Sequence, residues 1–325
     1  MVTWTLTANG VDITDSIRNI VEDITISDDA KDDSDQLSMM LALTPALQIP
    51  ARGAFLSFSA DGVPLGNYLV DGRRLSTPAY SLTLEASGTP FNQNGGKQSP
   101  LQTQRTRKWP ANTTLVNVLA TIAKASGLAS AVSPKLKTLN VEGLTQKDES
   151  DLHFIQRVSQ DNGAYFKING NTLVLHHYDD VVTANGQPLP THTISELNTM
   201  GIDWQDGGRS EIGTVTAKWR DPKAKTAKSN TVTVGNDPPS HALKQMFPTE
   251  AQAKQAAQAE LTRQQNKSKT LTVNLAVPRF DIFALHRLVL TDTSEPVSGT
   301  AWKIVRVTHR YSTNGWTTSL TCEGV

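Results

Sequence analysis

Leu37-Ser-Met-Met-Leu-Ala-Leu43 and Leu271-Thr-Val-Asn-Leu-Ala-Val277 are two versions of one pattern. Each alternates apolar with smaller or polar residues at period two, the mark of a strand with one buried face. Two further blocks follow in the same order. Gly66-Asn-Tyr-Leu-Val-Asp-Gly-Arg73 lies over Ala301-Trp-Lys-Ile-Val-Arg-Val-Thr308, and Ser81-Leu-Thr-Leu-Glu-Ala-Ser-Gly88 over Thr317-Thr-Ser-Leu-Thr-Cys-Glu-Gly324. The offset drifts only from 234 to 236. Apolar parity is largely kept, with Leu82, Leu84 and Ala86 against Thr318, Leu320 and Cys322. Chance alternation in a β-rich chain is the competing reading, and the agreement of three blocks in order and spacing argues against it. The fold class is therefore mainly β with an α+β insertion: two similar antiparallel β-barrels flank a small α+β domain. Cys322 then packs as a small core hydrophobe.

Around these blocks the chain divides into three. Residues 1–91 carry short strands separated by Asp61-Gly62, Asp71-Gly72 and Gly88-Thr-Pro90, the spacing of a barrel or sandwich. A linker-like Asn92-Gln-Asn-Gly-Gly96 opens a middle domain over residues 92–190. There Leu115, Val118, Leu119 and Ile122 fall on one helix face, with Gly127 placed to end that helix. A second helix is expected over about Glu149–Asp161, followed by two strands joined at Asn169-Gly-Asn171. Residues 191–325 form the second barrel. An alanine-rich helix near 249–266 is inserted in it, with Thr249 as its cap.

Composition narrows the function. The 325 residues hold 31 Lys+Arg and 31 Asp+Glu, and that balance argues against a general electrostatic nucleic-acid binder. The balance hides an asymmetry: net −6 over residues 1–100 and net +6 over the rest. Such ends suit head-to-tail association, although drift among solvated charges gives the same numbers. The lone Cys322 excludes an intrachain disulfide and cysteine zinc clusters. No apolar run is long enough for a membrane span, and the N-terminus lacks the pattern of a signal peptide. A reducing cytoplasm is the expected place of folding.

No fragment carries a catalytic or cofactor motif. His176-His-Tyr-Asp-Asp180 places its two histidines on opposite strand faces, a poor metal site. Asp28-Asp-Ala-Lys-Asp-Asp-Ser-Asp35 lacks the glycine and terminal glutamate of a calcium loop and reads as a solvated turn. No P-loop, GxSxG or HExxH spacing occurs. The candidate contact residues are two basic clusters: Arg105, Arg107 and Lys108, and Lys223, Lys225 and Lys228. The second lies beside the Asp221-Pro222 turn and reads first as a solvated hairpin loop. The functional reading is a contact with an acidic partner surface or with passing nucleic acid.

The stretch Gln146-Lys-Asp-Glu-Ser-Asp-Leu-His-Phe-Ile-Gln-Arg-Val158, with Asn162-Gly-Ala-Tyr-Phe166 after it, resembles the phage late-control gene D family. Val11-Asp-Ile-Thr-Asp-Ser-Ile17, Ser34-Asp-Gln-Leu37, Ile49-Pro-Ala-Arg-Gly53 and Val307-Thr-His309 support the resemblance, which covers most of the chain. The N-terminal part of the type VI secretion spike protein VgrG is similar. Asp148 or Ser150 is placed to cap the helix, so these motif residues read as structural. The resemblance implies a non-enzymatic baseplate hub of a contractile phage tail or related injection particle. It implies a homotrimer whose six barrels form a pseudo-sixfold ring, joining the tail tube to a central spike. Its implied partners are the spike, the tube and other baseplate proteins, with DNA passing through the ring. Its implied place is the virion tail, assembled in the host bacterial cytoplasm. The chain is short for the family and ends at the second barrel, so any piercing or wall-cutting part is expected on another chain. Two alternatives stay open. Thr113–Leu128 faintly resembles the first helix of a peptidoglycan-binding LysM repeat, and a cell-wall hydrolase is the other class.

Overall fold

The computed structural model describes residues 2–30, 34–44, 49–78, 80–88, 100–110, 113–141, 143–207, 212–221 and 228–324. The first region holds β1 (Trp4–Ala8), β2 (Val11–Asp12), α1 (Thr14–Ile17), β3 (Val21–Asp29), β4 (Gln36–Ala42), β5 (Phe55–Ala60), β6 (Val63–Ser76) and β7 (Ser81–Ser87). The middle holds β8 (Gln104–Lys108), α2 (Leu115–Ala125), β9 (Ala129–Val132), β10 (Thr145–Ser150), α3 (Asp151–Asp161), β11 (Ala164–Asn169) and β12 (Thr172–His177). The last holds β13 (Thr191–Ser195), β14 (Thr199–Asp206), β15 (Thr214–Trp219), β16 (Asn230–Gly235), β17 (Ser240–Phe247), α4 (Glu250–Ser268), β18 (Lys269–Leu275), β19 (Arg287–Thr291), β20 (Ala301–Ser312) and β21 (Gly315–Glu323).

The duplication is written into the strand order. In the first region neighbours run β3-β4-β7-β6-β5-β1, and in the last they run β14-β18-β21-β20-β19-β13. The irregularities also match. A bulge interrupts β6 against β7 between Val70 and Gly72, and β20 against β21 between Ile304 and Arg306. A second interrupts β3 against β4 between Val21 and Asp23, and β14 against β18 between Thr199 and Gly201. Bulges are specific features of a ladder, so two matched pairs identify equivalent positions. Val70 therefore corresponds to Ile304, and buried Tyr68 to buried Trp302. The sequence comparison had set Asn67 over Trp302, one residue out: it carried an offset of 235 between the 234 of β4 and β18 and the 236 of β7 and β21, whereas the two extra residues lie in the β20–β21 hairpin, beyond the matched bulges. The two halves differ at one place. β1 runs antiparallel to β5, whereas β13 runs parallel to β19.

The halves are fused. β20 pairs antiparallel with β3, from Arg306 with Asp29 to Tyr311 with Ile24. This seam makes one 13-stranded sheet, whose pairing path stays open at β14 and at β2 among the described residues. Alternation fills each core. Leu37, Met39 and Leu41 on β4 enter the first, beside Trp4 and Leu6 from the far end of that half. Leu271, Val273 and Leu275 on β18 enter the second, with Cys322 fully buried among them. Burying one such leucine contributes about 1.5–3 kcal/mol.

Two smaller units attach to this sheet. In the middle unit, α2 and α3 pack with the β11-β12-β9 sheet around Leu119, Ile122, Phe154 and Leu175. Thr114 caps α2 through the Asn117 amide at 3.3 Å, and Ser150 caps α3 through the His153 amide at 3.2 Å. The helix expected from Glu149 thus starts at Asp151, because Thr145–Ser150 is drawn into a strand paired with β8. The other unit lies between β14 and β18, where the first half has only the short β3–β4 connection. It is more than an inserted helix. α4, capped by Thr249, lays Ala253, Ala256 and Ala257 against Val215, Ala217 and Phe247 of β15 and β17, forming a core of its own.

Candidate functional site

The acidic run at the end of β3 is where three regions meet. Lys167 on β11 reaches out of the middle unit between Asp28 and Asp35. Its ammonium hydrogen-bonds Asp28 and lies 2.9 Å from Asp35 Oδ1. The second oxygen of Asp28 accepts from the Ala284 amide at 2.7 Å, which brings in the last region. Asp35 accepts from the Asp29 amide at 3.1 Å, and Asp29 is paired with Arg306 at 2.6 Å across the seam. Sequence reading took this run as a solvated turn. In the structure Asp28, Asp29 and Asp35 are largely buried, each committed to a partner far along the chain. Lys31, Asp32 and Asp33 lie outside the described residues.

Burial and charge oppose each other at this node. Burial raises the Asp28 carboxyl, but the Lys167 ammonium and its hydrogen bond outweigh that and hold it below the usual carboxylate range. Asp35 goes the other way. Burial and the neighbouring Asp28 charge push it up to about 6, against the pull of Lys167. Burial lowers Lys167, and the two carboxylates more than restore it. The node lines a cavity of about 610 Å³ at the meeting of the three regions.

A second buried lysine ties the last region to the middle one. Lys303 on β20 donates to the Tyr178 carbonyl at 2.5 Å and sits 4.6 Å from the centre of the Tyr165 ring. Burial, then the nearby Arg287 charge, lower it to about 7. Along the seam itself Arg310 pairs with Asp23 at 2.9 Å, and Tyr311 and Trp316 from the β20–β21 hairpin pack onto the first core. Trp316 meets Phe58 at 6.0 Å and Phe280 edge-on at 5.5 Å.

The basic residues singled out from sequence divide. Arg105 and Arg107 point from the same face of β8 to Asp151, 3.2 and 3.3 Å from its Oδ2, and Gln146 donates to its other oxygen at 2.9 Å. Asp151 is fully buried, so these two arginines neutralise an internal charge. Arg107 also lies over Trp109, which stacks on Phe154 at 5.9 Å. Lys108 and Lys228 are exposed. Lys223 and Lys225 lie outside the described residues. In the Gln146–Val158 motif paired with β8, Glu149 pairs with Arg157 at 2.8 Å and with His153 at 2.8 Å, and Asp148 accepts from Thr106 at 2.9 Å.

Neither histidine of the His176-His177 pair is arranged as a ligand for a shared ion. Both ring nitrogens of His176 face carbonyls, those of His177 and Val182 at 3.1 and 2.9 Å. Among the described residues no group of three or more His, Cys, Asp or Glu is placed to hold a metal. No helix among them is long and apolar enough to cross a membrane. What the geometry offers is ion pairs, hydrogen bonds and strand edges that join large pieces of protein.

Comparison with known proteins points the same way. Residues 100–315 match the model of the family described as phage tail baseplate hub (GPD). Over 98% of its length the chain is 26% identical to the "Probable baseplate hub protein" of Escherichia phage 186, of which 92% is aligned. The fold superposes on the 43 kDa tail protein of prophage MuSo2 from Shewanella oneidensis with a TM-score of 0.74, at 13% identity, covering 99% of this chain and 98% of that one. It also superposes on an E. coli protein described as a type VI secretion component similar to the T4 tail proteins gp27 and gp5. There the TM-score is 0.60 at 11% identity, covering 98% of this chain and 76% of the other.

Proposed function

Because the chain belongs to the phage tail baseplate hub (GPD) family, we propose that it is the structural hub of a contractile tail or related injection particle. Three copies form a ring that joins the sixfold tail tube to a threefold spike. The observation that carries this reading is the duplication: one chain supplies two modules of the same strand order, fused edge to edge. Three such chains present six modules, which meets a sixfold partner on one side while remaining threefold on the other. Each module is read as a barrel. In the first, Trp4 and Leu6 at one end of the strand order share a core with Ile24 and Ile26 at the other, as a curled sheet requires. The module limits proposed are residues 1–91 and 191–325, with 92–190 between them.

The role is assembly and not catalysis. Binding runs through large surfaces and strand edges, with the spike, the tube and other baseplate proteins as partners in the virion tail and DNA passing through the ring. Among the described residues of the two clusters, exposed Lys108 and Lys228 are the basic contacts open to an acidic neighbour. Light scattering on the purified chain, alone and with its spike protein, tests the reading. A hub component of three chain masses in either condition supports it. A monomer in both overturns it, and a peptidoglycan pull-down then tests a wall-binding role.

A further inference from the structure

The unit inserted between β14 and β18 has no counterpart in the first half, where the short β3–β4 connection takes its place. It also holds most of the charge asymmetry of the chain. Residues 207–268 carry ten Lys and Arg against five Asp and Glu, a net of +5 within the +6 of residues 101–325. The sheet of this unit runs β16-β15-β17, and α4 covers one of its faces. The pairing identifies the other face, because residues directly opposite in neighbouring strands lie on the same side. Thr231 on β16, Lys218 on β15 and Met246 on β17 form one row, and Thr233, Thr216 and Ala242 form the next. Val215, Ala217 and Phe247 point the other way, into the α4 core. Alternation along β17 puts Lys244 on the same side as Met246. Thr231, Thr233, Lys218 and Lys244 are all exposed, and Met246 is 49% exposed. Arg220 and Lys228, just past β15 and just before β16, are exposed as well. Among the described residues none of these four cations forms an ion pair.

We propose that this open face of the inserted sheet binds the phosphodiester backbone of DNA. Its chemistry is that of a phosphate surface: Lys and Arg supply charge, and Thr hydroxyls donate hydrogen bonds to phosphate oxygens. Its spacing suits a polymer. Alternate residues of a strand lie about 6.6–6.8 Å apart, so Thr216, Lys218 and then Arg220 offer donors at even steps along one line. A charged backbone that repeats along its length meets such a line at every step. An acidic protein surface has no such repeat and brings apolar contacts, for which these rows offer one large side chain, Met246. The rows hold no aromatic ring, so bases have nothing to stack on and the contact is independent of sequence. The balanced charge of the whole chain does not oppose this, because the excess is concentrated in one small unit. The proposal rests on the hub reading for the source of the DNA, the molecule that passes through the tail. The contact itself does not depend on how many chains assemble.

Fluorescence anisotropy of the full chain with a labelled DNA duplex, and with one of its strands, tests the face over about 50–200 mM salt. The expected dissociation constant for the duplex is about 10 μM at the middle of that range, in the span of sequence-independent binding. Four cations on phosphates predict a slope of log K against log salt of about −3.5. Lys218→Glu combined with Lys244→Glu is expected to weaken binding at least tenfold and to bring the slope to about −2. Lys124→Glu, exposed on α2 in the middle unit, is expected to leave binding within twofold. A second measurement needs no variant. Acetylation of Lys218 and Lys244 in the wild-type chain is expected to slow at least threefold when DNA is bound, with Lys124 unaffected. No binding at the lowest salt overturns the proposal, as does equal weakening by Lys124→Glu or acetylation unchanged by DNA. Binding confined to the single strand overturns the backbone contact, because it requires base stacking. Polyaspartate that displaces the duplex at equal charge assigns the face to an acidic protein and overturns DNA as its occupant. A trimer by light scattering that binds no DNA overturns this proposal and leaves the hub standing. A chain that binds DNA through Lys218 and Lys244 but stays monomeric with its spike supports the contact and overturns the hub.

Discussion

Lys167→Met removes one ammonium and leaves everything else at the three-way node in place. The side chain is only 12% exposed, and its partners Asp28 and Asp35 are 15% and 19% exposed. Without the cation two carboxyls face each other in a poorly solvated pocket, and both cannot stay ionised there. Protonating one at pH 7.5 from an ordinary carboxyl value near 4 costs about 1.4 kcal/mol per pH unit, roughly 4–5 kcal/mol in all. Leaving it charged costs about 3–5 kcal/mol, the usual loss when one partner of a buried pair is removed. Either route predicts a destabilisation of about 4 kcal/mol at pH 7.5. The pH dependence identifies the cause. In the wild type Asp28 titrates below its unfolded value, so its contribution is present above that value and lost as pH falls through the folded one, whereas Asp35, held up at about 6, takes a proton between pH 7.5 and 5.0 and favours folding as pH falls through that range. In the variant the folded pair binds a proton more readily than the unfolded chain, so its relative stability recovers as pH falls. Urea denaturation at pH 7.5 and pH 5.0 measures this, with about half of the loss expected to be regained at the lower pH. A variant within 1 kcal/mol of wild type at pH 7.5, or one equally destabilised at both, refutes the view that Lys167 holds the node by neutralising it.

Lys303 is a charge that folding disfavours, so removing it has the opposite effect on stability. Its folded value of about 7 lies below the unfolded 10.5, so the folded chain sheds that proton first and stability rises with pH between the two. Lys303→Met is expected to flatten that rise and to raise the urea midpoint at pH 7. The gain, about 1–3 kcal/mol, is what remains after the Tyr178 carbonyl loses its donor. On α3, Asp151→Ala leaves Arg105 and Arg107 without their shared carboxylate and is expected to cost about 3 kcal/mol. Lys108→Ala, on the exposed face of β8, is expected to stay within about 0.5 kcal/mol of wild type by thermal melting.

The sequence carried the duplication because apolar parity survives where strands keep one buried face, as in Leu37–Leu43 and Leu271–Val277. It misplaced the β6 match by one residue because the β20–β21 hairpin is two residues longer than the β6–β7 hairpin, and alternation does not show on which side of a strand the extra residues fall. The small unit around α4 read as a single helix, since alanines at 253, 256 and 257 look like helix propensity until β15 and β17 are seen packed against them. The acidic run at 28–35 read as solvent-facing for a similar reason. Its partner Lys167 lies 139 positions away, and nothing local announces it. The β8 arginines left a fainter trace. Basic residues two apart on one strand face suggest a common target, and Asp151 in the neighbouring motif is that target.

The unequal burial of equal strands ties these observations together. A duplicated module has no intrinsic reason to bury Ile24 and Ile26 in one copy and leave Ile202 and Trp204 partly open in the other. The difference arises because the internal seam can be made only once per chain: β20 covers β3, and no third module remains to cover β14. The same count leaves the tip of the β6–β7 hairpin with nothing to cover, so Leu75 and Tyr80 face solvent where His309 and Trp316 are packed. β14 stands at one end of the strand order, and the uncovered half of β6 lies within the other module, where β5 pairs only with the N-terminal part of that strand. The Lys167 node fixes β3 to the middle unit through Lys167 and, through the Ala284 amide, to the last region, so one cluster of charges holds three regions that are distant in the chain.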